Sequence, residues 1–175
     1  MGTPLVRPAT VGDLPSITAI YRHHVLHGLA SFELEPPDEA EIARRYQAIR
    51  ALRLPYLVAE LSGAIAGYAY AGVYRARPAY RFTVENSVYI DARHTGSGIG
   101  SALLPPLIDG CAAAGRRQMI AVIGDSANHA SIRLHEKFGF ERVALLPAVG
   151  YKFGRWVDSV LMQKALGDGD RSPPV

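Results

Sequence analysis

The stretch Ser87 to Leu104, SVYIDARHTGSGIGSALL, carries the chain's clearest chemistry: an apolar strand runs into three alternate glycines, Gly96, Gly98 and Gly100, and then into a helix. Glycines let the main chain approach a ligand closely. The free N–H groups at a helix start, aided by its dipole, make an anion site without many positive side chains, and a pyrophosphate is the natural occupant. Such turns also occur in dinucleotide-binding folds and in purely structural corners. The dinucleotide version opens near a β-α-β unit with an acidic residue about 20 positions on, whereas here several antiparallel strands come first. A second cluster is Arg75, Arg77 and Arg81, interleaved with Tyr74 and Tyr80. Guanidinium groups suit planar capture of carboxylates and tetrahedral oxyanions, although arginines on a strand and loop are also commonly solvated surface. A third is His23, His24 and His27, with His23 and His27 four apart on a helix. No acidic or thiol ligand accompanies them, and no metal is expected.

The elements that must position these residues follow from periodicity. Leu14, Ile17, Ile20 and Tyr21 line one side of a helix for which Asp13 is the expected cap. Asp38, with Glu41 three positions on, starts a second helix. Strands are expected over 56–61, 65–74 and 83–91, with short spacings that favour antiparallel hairpins. A helix to about Ala114, a strand over 119–123, a helix over 128–138 and closing strands over 141–146 and 156–162 complete the order. Pro105 and Pro106 fall inside the predicted third helix, where each lacks a donor and crowds the preceding turn, so a kink or widened turn is expected there. The reading is one α/β domain over residues 1–166 with a mixed sheet, and a disordered tail over 167–175.

At 175 residues, 49% of them hydrophobic and 20% charged, the chain can bury one substantial core. No signal-like segment opens it and no run approaches the roughly 20 apolar residues of a membrane span. Cys111 is the single cysteine, which excludes an internal disulfide and fits a cytoplasmic location. A net charge of +3 with scattered Arg and Lys argues against nucleic-acid binding.

Arg93, Gly96 and Gly98 match the Arg/Gln-x-x-Gly-x-Gly/Ala signature of GCN5-related acetyltransferases, and NHASIRLHEKFGF resembles that superfamily's later Asn-x-x-Ala/Ser-x-x-x-Tyr-x-x-x-Gly-Phe helix. Further strings, IYRHHV, FELEPP, GYAYAGVYRARPAYRFTVENSVYI and VGYKFGRWVDSVLM, are similar to the phosphinothricin and methionine-sulfoximine N-acetyltransferase branch, across nearly all of Val6 to Leu166. The resemblance implies a single-domain α/β fold with a mostly antiparallel mixed sheet, flanking helices and a splayed parallel strand pair. It implies acetyl-CoA as cosubstrate, held by the main chain of Val88, Tyr89 and Ile90, by Arg93, by Gly96, Ser97, Gly98, Ile99, Gly100 and Ser101, and by Asn128. Thr95 stands where relatives often carry a basic residue.

The implied reaction acylates the amino group of a small amino-acid-like substrate. Glu85 is the expected general base, which requires partial burial or a relaying water because a carboxyl's ordinary pKa is about 4.3. His135 replaces the superfamily's usual tyrosine, and three roles stay open for it: aid to the base, acid for the departing thiolate, or packing. Val88 N–H is the expected oxyanion donor. Phe32, Glu33, Arg75, Ala76, Arg77, Arg81, Glu85, Asn86 and Ser87 are the expected substrate contacts, and Asn86 stands where relatives often have histidine. The closing strands, with Trp156, suit the homodimer typical of relatives. Two other readings are an acetyltransferase for protein N-termini or polyamines, against which the arginines argue, and a non-catalytic CoA-binding sensor, against which Glu85 and His135 argue.

Overall fold

The computed structural model describes residues 2–174. Its strands are β1 (Leu5–Pro8), β2 (Tyr56–Leu61), β3 (Ala64–Val73), β4 (Thr83–Ile90), β5 (Gln118–Gly124), β6 (Glu141–Lys152) and β7 (Arg155–Ala165). They form one sheet in the order β1-β2-β3-β4-β5-β7-β6. Neighbours are antiparallel except β4 and β5, which run parallel. The helices are α1 (Leu14–His27), α2 (Glu39–Ala51), α3 (Ile99–Ala113) and α4 (His129–Lys137). This is the mixed, mostly antiparallel architecture that the sequence led us to expect.

Side chains on the two faces of the sheet meet different helices. Tyr68, Tyr70 and Tyr89 share one face, where Tyr56 stacks on Tyr70 at 4.9 Å and Tyr21 of α1 meets Tyr89 edge-on at 5.0 Å. Aromatic pairs at such separations add to what burial alone contributes. On the opposite face α3 lies close over the strands: a Cβ at Gly67 would come within 2.8 Å of Ile99, so only glycine lets the helix approach. The helix periodicity is realised on α1, where Leu14, Ile17, Ile20, Tyr21 and Val25 are buried, and the Asp38 carboxylate accepts from Glu41 N–H at 2.8 Å, capping α2.

Three expectations need correction. Asp13 does not cap α1. Its carboxylate accepts from Thr10 N–H and Thr10 Oγ1 and from both terminal nitrogens of Arg7 at 2.8 Å, because β1, absent from the sequence reading, delivers a guanidinium beside it. The expected widened turn at Pro105 and Pro106 is absent, and α3 stays α-helical through both. Pro106 points outward, while Leu103, Leu104, Leu107 and Cys111 are fully buried, and that packing outweighs the lost donors. The closing hairpin is longer than expected, since β6 continues to Lys152 across register shifts between Arg142 and Ala144 and between Leu146 and Gly150. Beyond β7, Leu166 is buried and the Asp168 carboxylate lies 3.4 Å from Arg117.

The Asp13 pair generates a pH prediction. Hydrogen bonds from Arg7 hold the Asp13 carboxyl down at about 2, from 3.8. Its folded pKa is depressed, so its contribution is present above about pH 4 and is lost as pH falls through about 2. Urea unfolding of the wild type should therefore lose about 2 kcal/mol more between those pH values than Asp13→Asn does. Parallel stability curves for the two proteins would show that the pair contributes nothing.

Candidate active site

β4 and β5 pair only from Thr83↔Gln118 to Asn86↔Ala121. Past that point β4 stays paired with β3 as far as Gly67↔Ile90, and β5 stays paired with β7 as far as Gly124↔Ser159. The two strands part, and their facing edges lose their partners. The side of β4 that each peptide group faces can be read from its ends. Phe82 O accepts from Arg117 and Gln118 on the β5 side, and Asp91 N–H donates to Ala66 O on the β3 side. Successive peptide groups alternate, so Val88 turns its N–H and C=O, and Ile90 its N–H and C=O, into the gap. Ile90 O is met there by His24, whose Nε2–H donates at 2.7 Å. The main chain of Tyr89 faces β3, and the residue is one of those lining the cavity.

At the far end of β4 the chain turns through Ala92–His94, and Asp91 accepts from Arg93 N–H at 2.9 Å. Gly96 and Gly98 both adopt φ +79°, a conformation that L side chains rarely take, and nothing crowds the place where a Cβ would stand. Gly98 is the N-cap of α3 and no side chain caps the helix, so its first-turn amides point outward without intrahelical acceptors. A Cβ at Gly100 would meet Leu134 at 2.8 Å, so that glycine serves contact with α4. Lys137 Nζ donates to Ser101 Oγ at 3.2 Å and puts a cation beside the turn. Arg93 is exposed and paired with Asp91 at 2.6 Å.

Where the strands part, a cavity of about 430 Å³ opens through the sheet. On the tyrosine face it is walled by Glu85, Ser87, Tyr70, Tyr21, Phe32 and Glu33. Burial pushes the Glu85 carboxyl up, and the nearby Arg75 charge opposes the shift. Burial likewise raises the Glu33 carboxyl, but hydrogen bonds from Arg45 and Tyr21 outweigh it and leave the group below its ordinary value. Arg45 reaches Glu33 Oε1 at 2.6 Å and Tyr21 reaches it at 2.8 Å. The loop carrying Phe32 is pinned between strands: a Cβ at Gly124 would sit 2.1 Å from Leu29 O, and one at Gly150 would sit 2.3 Å from the Phe32 ring. The buried Lys152 Nζ donates to Ser31 O at 2.6 Å and closes that wall. On the opposite face stand Asn86, His135, Ser131 and Asn128. Asn128 Oδ1 accepts from Ser131 N–H at 3.2 Å and caps α4. His135 is 3% exposed, its Nδ1 is 2.8 Å from Ser131 O, and burial lowers its pKa.

Of the residues expected from sequence, Phe32, Glu33, Glu85, Asn86, Ser87, Val88, Tyr89, Asn128 and His135 line this cavity. Ile90 and residues 93–101 lie beyond it, along the end of β4 and the glycine turn. Arg75, Ala76, Arg77 and Arg81 are exposed on the connection from β3 to β4. The Arg75 guanidinium lies over Tyr74 at 4.9 Å and that of Arg81 over Phe82 at 4.4 Å, and none of the four is among the residues that line the cavity. Sequence reasoning missed Tyr21, Ser31, Tyr70, Ser131 and Ser159 as lining residues. Two of these carried a signal: Ser131 stands at the Ala/Ser position of the later motif, and Tyr70 stands on β3 across from Ser87 one strand away.

The donor set suits a long anionic thioester. It offers an unpaired strand edge to an extended amide chain and an uncapped helix start to its phosphates. A sheet that opens at its one parallel pair beside such a turn defines the class of acyl-CoA-dependent acetyltransferases. The chain belongs to the acetyltransferase (GNAT) family, which its residues 19–140 match. It is 52% identical over 169 residues to a phosphinothricin N-acetyltransferase of Alcaligenes faecalis, covering 97% of this chain and 86% of that protein. It is 42% identical to an L-methionine sulfoximine/L-methionine sulfone acetyltransferase of Salmonella typhimurium, covering 93% and 95%. A crystal structure of a phosphinothricin acetyltransferase from Sinorhizobium meliloti in complex with AcCoA superposes with a TM-score of 0.96 at 48% identity, covering 99% of this chain and 94% of that one.

The pinned loop can be tested by adding one methyl group. Gly124→Ala must displace Leu29 main chain and should cost about 1–3 kcal/mol in urea unfolding. Gly72→Ala, which meets nothing within 4 Å, is the control. Equal stability of the two variants would mean that the wall is not held at Gly124.

Proposed function

We propose that this chain transfers the acetyl group of acetyl-CoA to the amino group of a small amino-acid-like substrate such as phosphinothricin, methionine sulfoximine or methionine sulfone. The observation that carries the reading is Glu85, raised by burial, on the wall of a cavity that opens where β4 parts from β5 and bares the main chain of Val88. The 52% identity with a phosphinothricin N-acetyltransferase supports the substrate class. Acetyl-CoA bound there supplies an activated acyl carbon.

The chain's own residues do the rest. Glu85 accepts the proton of the incoming ammonium, directly or through water, and burial brings its pKa toward that task. Val88 N–H, turned into the gap, would donate to the acyl oxygen as negative charge builds on it while the amine nitrogen bonds to the acyl carbon. The C–S bond then breaks and the thiolate leaves, to be protonated from solvent. The first-turn amides of α3 and the main chain over 96–101 hold the phosphates, and Ile90 N–H and Val88 C=O hold the amide arm. Arg75 and Arg77, on the connection from β3 to β4, meet the carboxylate or tetrahedral side-chain group of the substrate. Glu33, kept ionised by Arg45, faces the same space as Glu85 and favours the ammonium end.

The assembly and location belong to the same proposal. β6 is an edge strand, and Val143, Leu145, Val149, Tyr151 and Trp156 of the closing hairpin are each more than half exposed, an apolar face suited to a second copy. No helix among the described residues is long and apolar enough to cross a membrane, and Cys111 is buried and unpaired, which supports a cytoplasmic location.

Thiol release from acetyl-CoA in the presence of methionine sulfoximine, methionine sulfone, phosphinothricin and plain amino acids tests the reading. Turnover is expected with at least one of the first three, and none with any would overturn it. Glu85→Gln should lower kcat by roughly 10²-fold or more, and a wild-type rate would remove Glu85 from the chemistry. Light scattering should give a dimer for the wild type and a smaller species for Trp156→Glu; a monomeric wild type would dismiss the paired state.

A further inference from the structure

The acetyltransferase reading leaves open what His135 does, and the hydrogen bonding around it decides the matter. A carbonyl oxygen only accepts, so Nδ1, 2.8 Å from Ser131 O, must carry the ring proton. The ring is 3% exposed, and burial disfavours the second proton that would make Nε2 a donor as well, which leaves a lone pair there as the favoured state. Yet Asn86 Oδ1 stands 3.3 Å from that nitrogen, acceptor facing acceptor, while Asn86 Nδ2, at the other end of the same carboxamide, is buried with no partner. Two faults in one side chain share one remedy. The two ends of a carboxamide are nearly alike in shape, and only the hydrogen bonding distinguishes them.

We infer that the Asn86 carboxamide is turned end for end, so that Nδ2–H donates to His135 Nε2 and His135 is a neutral positioning residue that ties α4 to β4, not the acid of the reaction. The buried donor then has a partner, and the site left unpartnered holds a carbonyl oxygen, which proteins tolerate better than an orphaned N–H. The tie falls at the residue where β4 and β5 stop pairing, Asn86↔Ala121. It fixes α4, with Asn128 at its N-cap, against the edge of the gap. The only proton on the ring is committed to Ser131 O, and Nε2 has none to give. No charge nearby changes this. The cavity's charged side chains are Glu33 and Glu85, and neither is hydrogen-bonded to the ring; β5 carries no charged residue; Arg133, Glu136 and Lys137 of α4 are exposed; Phe140 meets the ring edge-on at 5.0 Å.

This inference rests on the acetyltransferase reading for its mechanistic meaning, but its test does not. Nitrogen-15 NMR of the whole protein, at several points between about pH 5 and 8, reports the protonation of each ring nitrogen. The His135 signals are assigned by their loss in His135→Asn or, should that variant not fold, by contacts with the Phe140 ring. The expected result is a protonated Nδ1 and a bare Nε2, unchanged across the range. Asn86→Asp places an acceptor-only carboxylate against Nε2 and should convert His135 to an imidazolium, with both nitrogens protonated at the acidic end. A wild-type ring protonated at Nε2, or one that titrates within the range, would overturn the inference. Thiol release by the same sample separates the two ideas: an inactive protein with the bare Nε2 defeats the acetyltransferase reading alone, and an active one with Nε2–H defeats this inference alone.

Discussion

From Ser87 to Ile90, β4 keeps its bonds to β3 and loses those to β5, so Val88 presents an N–H and a C=O to a gap where each unmet group costs about 1–3 kcal/mol if it is kept from water. That open edge sets the requirements for everything around it. The gap must stay wide, yet the sheet must not unzip. Both needs are met by continuous pairing on the outer sides, β3 to β4 and β5 to β7, so the strands diverge as the edges of two intact half-sheets. His24 offers a further clue: its Nε2–H meets Ile90 O, satisfying one group of the open edge at the end nearest the glycine turn. The remainder is left for an extended ligand, whose amides can complete the ladder that β5 abandons.

The two faces of the opening differ in electrostatics because they belong to different layers. The tyrosine face carries two carboxylates with opposite fates. Glu33 is tied by Arg45 and Tyr21 and stays charged, whereas Glu85 has only the field of Arg75 to offset burial and is raised. Two like groups in one cavity are thus driven apart in pKa by their partners, an arrangement that separates a binding charge from a proton acceptor. The other face holds Asn86 and His135, both buried and without a charged partner. On the proposed reading, proton exchange is concentrated on one side of the sheet, and on the other the groups hold position.

The elements that bear the site were legible because their causes are local. Alternate glycines before an apolar run announce an uncrowded turn into a helix, and Gly96 and Gly98 stand at one with nothing near the place of a Cβ; Asp38 with Glu41 announces a cap, and the 2.8 Å bond is there. Elsewhere the deciding partner lay far away in sequence. Asp13 reads as a cap until Arg7 arrives on β1. Pro105 and Pro106 read as a kink or widened turn until four buried neighbours on α3 are counted against them. The wall formed by Ser31 and Phe32 depends on Gly124, Gly150 and Lys152, about 90 or more positions away, and no periodicity in a single sequence carries that information. His135 was found by its place in a motif, but its protonation depends on a carbonyl one turn back and on Asn86, 49 residues earlier.

Among the exposed arginines, Arg75 acts on Glu85 through its field rather than through contact. Arg75 lies outside the cavity walls, yet its charge is the one that opposes the burial of Glu85. On the proposed reading, a substrate carboxylate that pairs with Arg75 would cancel much of that field. Burial would then act on Glu85 with less opposition, and the carboxylate would become a stronger base as the amine arrives beside it. A polyamine has no anionic group to place on Arg75, and its added positive charge would depress Glu85 further. The same guanidinium that recognises the acid end of an amino acid thus couples recognition to basicity, which favours amino-acid-like amines over polycations without requiring a shape difference between them.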